Sequence, residues 1–88
     1  MDDNVKKLRN YFESLFNSEL YSRAYIEVME REEVVLSANR EGLLYLVDKI
    51  ILLCEQKTTG SHYHLDESGM ADKCEKPIII QLKKAPWD

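Results

Sequence analysis

Two histidines and an acid stand at alternate positions, His62-x-His64-x-Asp66, within Ser61-His62-Tyr63-His64-Leu65-Asp66. On an extended strand, residues two apart share a face, so both imidazoles and the carboxylate point away from Tyr63 and Leu65. Two strand histidines and a third ligand are the start of a zinc site. Alternation along one strand, however, spreads these three groups over about 13 Å. No single ion takes all three, and another element must supply a ligand. Cys74, in the polar stretch that follows, is the nearest soft donor in sequence. The pattern therefore favours a histidine pair on an open sheet face, contacting a partner or each other, over a metal centre. Such a face changes charge at about pH 6–7.

Other chemistry is thinner. Cys74 or Ser61 beside a histidine lacks the local signature of a nucleophile system. The three glycines are isolated, so no phosphate-cradling loop exists. A chain of 88 residues buries one modest core and leaves little room for an enclosed pocket. These observations favour a binding protein over an enzyme and call for no cofactor.

The second chemical feature is acidity. The chain carries a net charge of −4 and a pI of about 5.2. This argues against a nucleic-acid binder, which presents a basic face, and suits a basic partner. Acids gather around a predicted hairpin, where Glu27, Glu30, Glu32 and Glu33 stand against Arg23 and Arg31. They serve either to solvate and protect a strand end or as an acidic docking patch.

The elements that must position these groups follow from periodicity. Helical spacing of Val5, Leu8, Tyr11, Phe12, Leu15 and Phe16 predicts a helix from Asp3 to Phe16, capped by Asp2 or Asp3 and stopped at Asn17-Ser18. Lys6, Lys7 and Arg9 lie off its stripe, as a solvated face. From Tyr21 the period becomes two. Ala24, Ile26 and Val28 face one way, and Tyr25, Glu27 and Met29 the other; Val34-Val35-Leu36-Ser37 returns as the second strand. Asn39 to Glu55 is the main helix, with Asn39 as N-cap. Leu43, Leu44, Leu46, Val47, Ile50, Ile51, Leu53 and Cys54 form its predicted buried half. Tyr45 and Leu52 fall among Glu41, Asp48 and Glu55 on the outer line, either covered by the other helix or ordinary exposed apolar residues, or else a candidate partner-binding strip. Gly60 is placed to end this helix. After the histidine strand, Glu67 to Lys76 reads as a polar loop, and Pro77 opens a last strand with Ile78, Ile80 and Leu82 inward and Ile79, Gln81 and Lys83 outward.

The order helix, strand, strand, helix, strand, strand predicts an α+β domain over residues 1–88. It has one four-stranded, mostly antiparallel sheet with both helices on one face, an N-terminal helical segment (1–18) and a tail (84–88). No apolar run reaches membrane-spanning length. Two cysteines without metal or disulfide spacing read as reduced thiols, which places the chain in the cytoplasm.

Three runs, Leu36-Ser37-Ala38-Asn39-Arg40-Glu41-Gly42-Leu43-Leu44, Gly60-Ser61-His62-Tyr63-His64-Leu65-Asp66 and Ile78-Ile79-Ile80-Gln81-Leu82, resemble in order and spacing a family of small bacterial proteins, immunity protein family 32. The likeness spans about residues 26–83. It implies an antidote that binds and neutralises a cognate toxin in bacterial competition, with no catalytic residues. The expected contacts are the outward sheet face (Tyr25, Glu27, Met29, His62, His64, with Asp66), the hairpin acids (Glu30, Glu32, Glu33) and the helix strip (Glu41, Tyr45, Asp48, Leu52). The alternatives are a metal-binding protein using His62 and His64, and a small homo-oligomeric adaptor joined through its sheet edge or Trp87.

Overall fold

The computed structural model describes residues 3–15 and 22–87. The expected cap at Asp2, the helix end at Phe16 with its stop at Asn17-Ser18, the change of period at Tyr21 and the last residue, Asp88, lie outside the described residues. The described elements are α1 (Asp3–Leu15), β1 (Ile26–Glu30), β2 (Val34–Ala38), α2 (Arg40–Cys54), β3 (His62–Leu65), β4 (Lys73–Cys74) and β5 (Ile78–Gln81).

The class is α+β as expected, but the strands form two small sheets in place of the single four-stranded one: β2-β1-β4 and β3-β5. β1 and β2 pair antiparallel from Ile26↔Ala38 to Glu30↔Val34, and β4 lies parallel to β1 with Glu27 beside Lys73. β3 and β5 pair antiparallel, with Tyr63 opposite Ile80.

The stretch 67–76 explains the division. Its polar composition reads as a loop, yet it returns to occupy the edge of β1 that a third or fourth strand would have used. The turn is held at Asp66, whose carboxylate accepts from the Gly69 amide at 2.8 Å and whose carbonyl accepts from Ala71 at 3.0 Å. The Asp72 and Glu75 amides then donate to the carbonyls of Ile26 and Val28, both at 2.7 Å. Their carboxylates accept from the amides of Ile26 and Glu30 at 2.9 and 2.8 Å. Polar side chains here complete a strand's backbone pairing.

Asn39 caps α2 as expected, in extended backbone, its side-chain oxygen accepting from Gly42. The buried half of that helix does not match the expectation. Leu46 and Ile51 are buried, but Leu43, Val47 and Ile50 are 50, 38 and 43 % exposed, whereas Asp48, assigned to the wet side, is 4 % exposed. The helix is held on two flanks instead of along its crest. Leu46 joins the core of Ile26, Val28, Leu65 and Ala71, with Tyr45, Tyr63 and Ile78 packed around it. Toward the other flank, α1 docks on α2 and not on a sheet face, and Arg9 reaches Glu55 as well as Glu13. Arg9 is therefore an interhelical link, not part of a solvated face. Leu46 and Ile51 sit about 140° apart around the helix, and the Leu43–Val47–Ile50 stripe lies between them, uncovered. On α1, Leu8 and Tyr11, expected in the buried stripe, are likewise exposed.

Gly42 shows how closely β1 approaches the start of α2. A Cβ there would lie 2.5 Å from the Tyr25 carbonyl oxygen and 3.0 Å from Ile26 Cγ1. In an unconstrained helix, glycine to alanine gains about 1 kcal/mol. Here Gly42→Ala is expected to reverse that sign and destabilise by about 1–3 kcal/mol, because backbone must move. Urea denaturation of the variant measures it. Gly60 takes the left-handed backbone (φ +95°), but α2 has already ended at Cys54. Gly60 instead turns the chain into β3, its amide donating to the Leu82 carbonyl at 2.9 Å.

Candidate functional site

The alternation read for β3 holds: Leu65 is buried and Tyr63 half-buried, while His62 and His64 are exposed. The two imidazoles meet edge to face with centroids 4.7 Å apart. His62 Nδ1 lies 2.9 Å from the Gly60 carbonyl. In the neutral ring that contact assigns the proton to Nδ1 and leaves Nε2 as an acceptor. Asp66, expected beside them, is turned into the Gly69 turn and serves the backbone. Among the described residues, no group of three His, Cys, Asp or Glu side chains converges as a metal-ligand set. Cys74 lies in β4, packed against the core, and is a free thiol, as is Cys54.

An open concavity of about 660 Å³ lies where the C-terminal half of α2 faces the entry to β3. Lys49, Leu52, Gln56, Thr58, His62 and Tyr63 are among its lining residues. Each is set by a local constraint. Lys49 and Leu52 lie one turn apart on one side of α2, and Gln56 follows just past its end. Gln56 Nε2 donates back to the Leu52 carbonyl at 3.2 Å, and the Lys49 ammonium rests 4.9 Å from the Tyr45 ring centroid. Thr58 accepts from the Ser61 hydroxyl at 2.9 Å through its carbonyl, fixing the connecting turn. Tyr63 donates its hydroxyl to the Gly69 carbonyl at 3.0 Å. Burial, then its hydrogen bond with Tyr45, pushes its pKa up, so it stays a neutral donor. The surface thus offers an apolar floor, a cation, amide and hydroxyl groups and an imidazole, which is the mixture that accepts a protein side chain or loop.

Two expected contact residues, Leu52 and His62, therefore come together, although the sequence assigned them to separate surfaces. The other expected groups separate. Glu27 and Met29 lie on β1 of the first sheet, with Tyr25 just before it, not on the sheet carrying His62 and His64. Tyr25 donates its hydroxyl to Glu27 at 2.9 Å, and that bond, with lesser desolvation, raises the phenol's pKa. Tyr45 packs on the core and Asp48 is buried, so neither forms the exposed strip expected of them. Glu41 is half-buried in the first turn of α2. At the hairpin tip, Glu30 lies 3.5 Å from Lys76 and Arg31 2.8 Å from Glu75, while Glu32 and Glu33 are exposed.

Lys49, Gln56 and Thr58 line the concavity but are not among the expected contacts. Lys49 and Gln56 flank Leu52 at i−3 and i+4, which was the available signal. The exposed stripe left no sequence signal, since its residues look like core.

No helix among the described residues is long and apolar enough to cross a membrane. No curated protein and no solved structure matches the chain. The family model for immunity protein 32 matches residues 33–83, which takes in β2, α2 and every later strand. That is more than half of the chain and includes the capped start of α2, both histidines and the concavity beside them, so the chain belongs to the immunity protein 32 family.

Proposed function

We propose that this chain is an immunity protein that binds and neutralises a cognate bacterial toxin by protein–protein contact, without catalysis, in the cytoplasm of the cell that makes both. The family match over residues 33–83 carries the reading. The concavity beside Leu52 and His62 is the anchor for a toxin side chain or loop. The exposed acids Glu32 and Glu33, in a chain of net charge −4, steer a basic toxin toward it. The test is co-expression with a candidate toxin encoded beside this chain, paired with calorimetric titration of the two purified proteins. Protection together with a stoichiometric complex is the expected result. A toxin that kills at full potency in the presence of the folded chain, with no heat of binding, defeats the reading.

A further inference from the structure

We propose that β2 is a self-pairing edge, and that two copies of this chain join through it into a continuous sheet across a two-fold axis at Leu36. The argument begins with which backbone groups are already used. The Arg31 amide donates to Glu33 at 2.8 Å, and the Asn39 amide to Tyr25 at 3.0 Å. With the β1–β2 register, these bonds fix the alternation of the ladder. Val35 and Ser37 turn their amides and carbonyls toward β1; Val34, Leu36 and Ala38 turn theirs away from it. The opposite side of the sheet is finished by β4 and by the Asp72 and Glu75 carboxylates. β2 has no such cover among the described residues, being the terminal strand of the order β2-β1-β4.

The strand also lacks the devices that normally blunt an edge. Val34-Val35-Leu36-Ser37-Ala38 contains no charge, proline, glycine or bulge. Val34, Val35 and Leu36 are 45, 44 and 39 % exposed.

The occupant that fits is a second copy, because the outward groups are self-complementary. An antiparallel pairing centred on Leu36 sets Leu36 against Leu36 and Val34 against Ala38. Each of the three outward residues then both donates to and accepts from its counterpart. It is the register that uses all of them within β2. Val34 and Leu36 point to the side of the sheet that carries Ile26, Val28 and Leu46, so both α2 helices come to lie on one side of the joined sheet. The uncovered Leu43, Val47 and Ile50 are on that side's helix and supply apolar area for the association. The concavity at Leu52 and His62 lies on another flank of α2, so self-pairing leaves the proposed toxin contact open.

Sedimentation equilibrium on the full chain tests this without any toxin. The expected species is twice the 10.3 kDa chain, dissociating on dilution. Leu36→Pro removes the outward amide of the central pairing residue at an edge position, where proline is tolerated, so it is expected to give a monomer with unchanged circular dichroism. Should that variant unfold, Val34→Lys gives the same readout with no backbone change. Register is tested by oxidation in a Cys54→Ala/Cys74→Ala background. Leu36→Cys is expected to cross-link, since paired Cα atoms there lie about 5.5 Å apart, and Val35→Cys is not. A wild-type chain that stays at 10.3 kDa at its highest soluble concentration overturns the proposal. So does a dimer that survives Val34→Lys, or cross-linking at Val35 but not Leu36. A monomeric chain whose toxin binding is lost on Val34→Lys would assign the edge to the toxin instead.

Discussion

Replacing Asn39 by alanine is expected to lower the stability of the fold by about 2–4 kcal/mol. The side chain makes more than a helix cap. Its oxygen accepts from the Gly42 amide at 2.8 Å and from the Tyr25 amide at 2.8 Å, and its Nδ2 donates to the Arg23 carbonyl at 2.7 Å. One residue thus ties the first turn of α2 to the segment entering β1. Loss of an N-cap costs about 1 kcal/mol, and each further hydrogen bond contributes about 0.5–1.5 kcal/mol. For a chain of 88 residues, total stability is on the order of 4–13 kcal/mol, so the loss is a large share. Urea denaturation should show a lower midpoint with an unchanged slope. Asn39→Asp keeps both acceptor bonds and loses the donor, and should fall between wild type and Asn39→Ala. If Asn39→Ala changes stability by less than about 0.5 kcal/mol, the three bonds do not hold the hairpin to the helix.

That residue also marks how far the sequence could be read. Asn39 and Gly42 belong to the run that resembles the family, and each has a local physical reason: a cap at one, a backbone too close for a Cβ at the other. Local rules of this kind are legible. So were the β1 and β3 alternations, where Ile26, Val28 and Leu65 are fully buried, and the inward Ile78, Ile80 and Leu82 of the last strand. What was not legible depends on partners distant in sequence. The apolar circumference of α2 gave no indication that Leu46 and Ile51 would be buried while the crest between them stayed open. Asp48 looked like a solvent-facing acid because periodicity ranks residues by polarity, whereas burial depends on which elements pack on the helix. Lys73-Cys74 is too short to register as a strand. Its flanking acids read as loop residues because their use, accepting from the amides of Ile26 and Glu30, involves residues more than forty positions away. The candidate site was half legible for the same reason: Leu52 and His62 each stood out, but only the turn through Thr58, Gly60 and Ser61 brings them to one concavity.

The functional prediction with the largest expected effect separates the two parts proposed for toxin binding. Leu52→Arg places a charged, bulky side chain in the concavity and is expected to weaken the complex by at least about 100-fold, or about 2.7 kcal/mol, mostly through faster dissociation. Leu52 is half-buried on α2 outside the central core cluster, so the variant is expected to keep its circular dichroism. Glu32→Lys with Glu33→Lys acts differently. These exposed side chains at the hairpin tip act at long range, and reversing them is expected to slow association by about 10-fold or more at low salt while leaving dissociation nearly unchanged. The difference from wild type should shrink as added salt shortens the screening length to about 8 Å at 0.15 M. Stopped-flow and surface-capture kinetics on the same toxin resolve the two constants. If the hairpin reversal speeds dissociation while Leu52→Arg binds like wild type, the toxin sits on the hairpin and not in the concavity. If both variants act only on association, neither surface is buried in the complex, and the contact must be sought elsewhere on the fold. A split with Leu52 in the dissociation rate and the acids in the association rate is the signature of an anchored contact approached through a guiding field. On the proposed reading both rates matter: fast capture limits the time the toxin is free, and slow release keeps it bound.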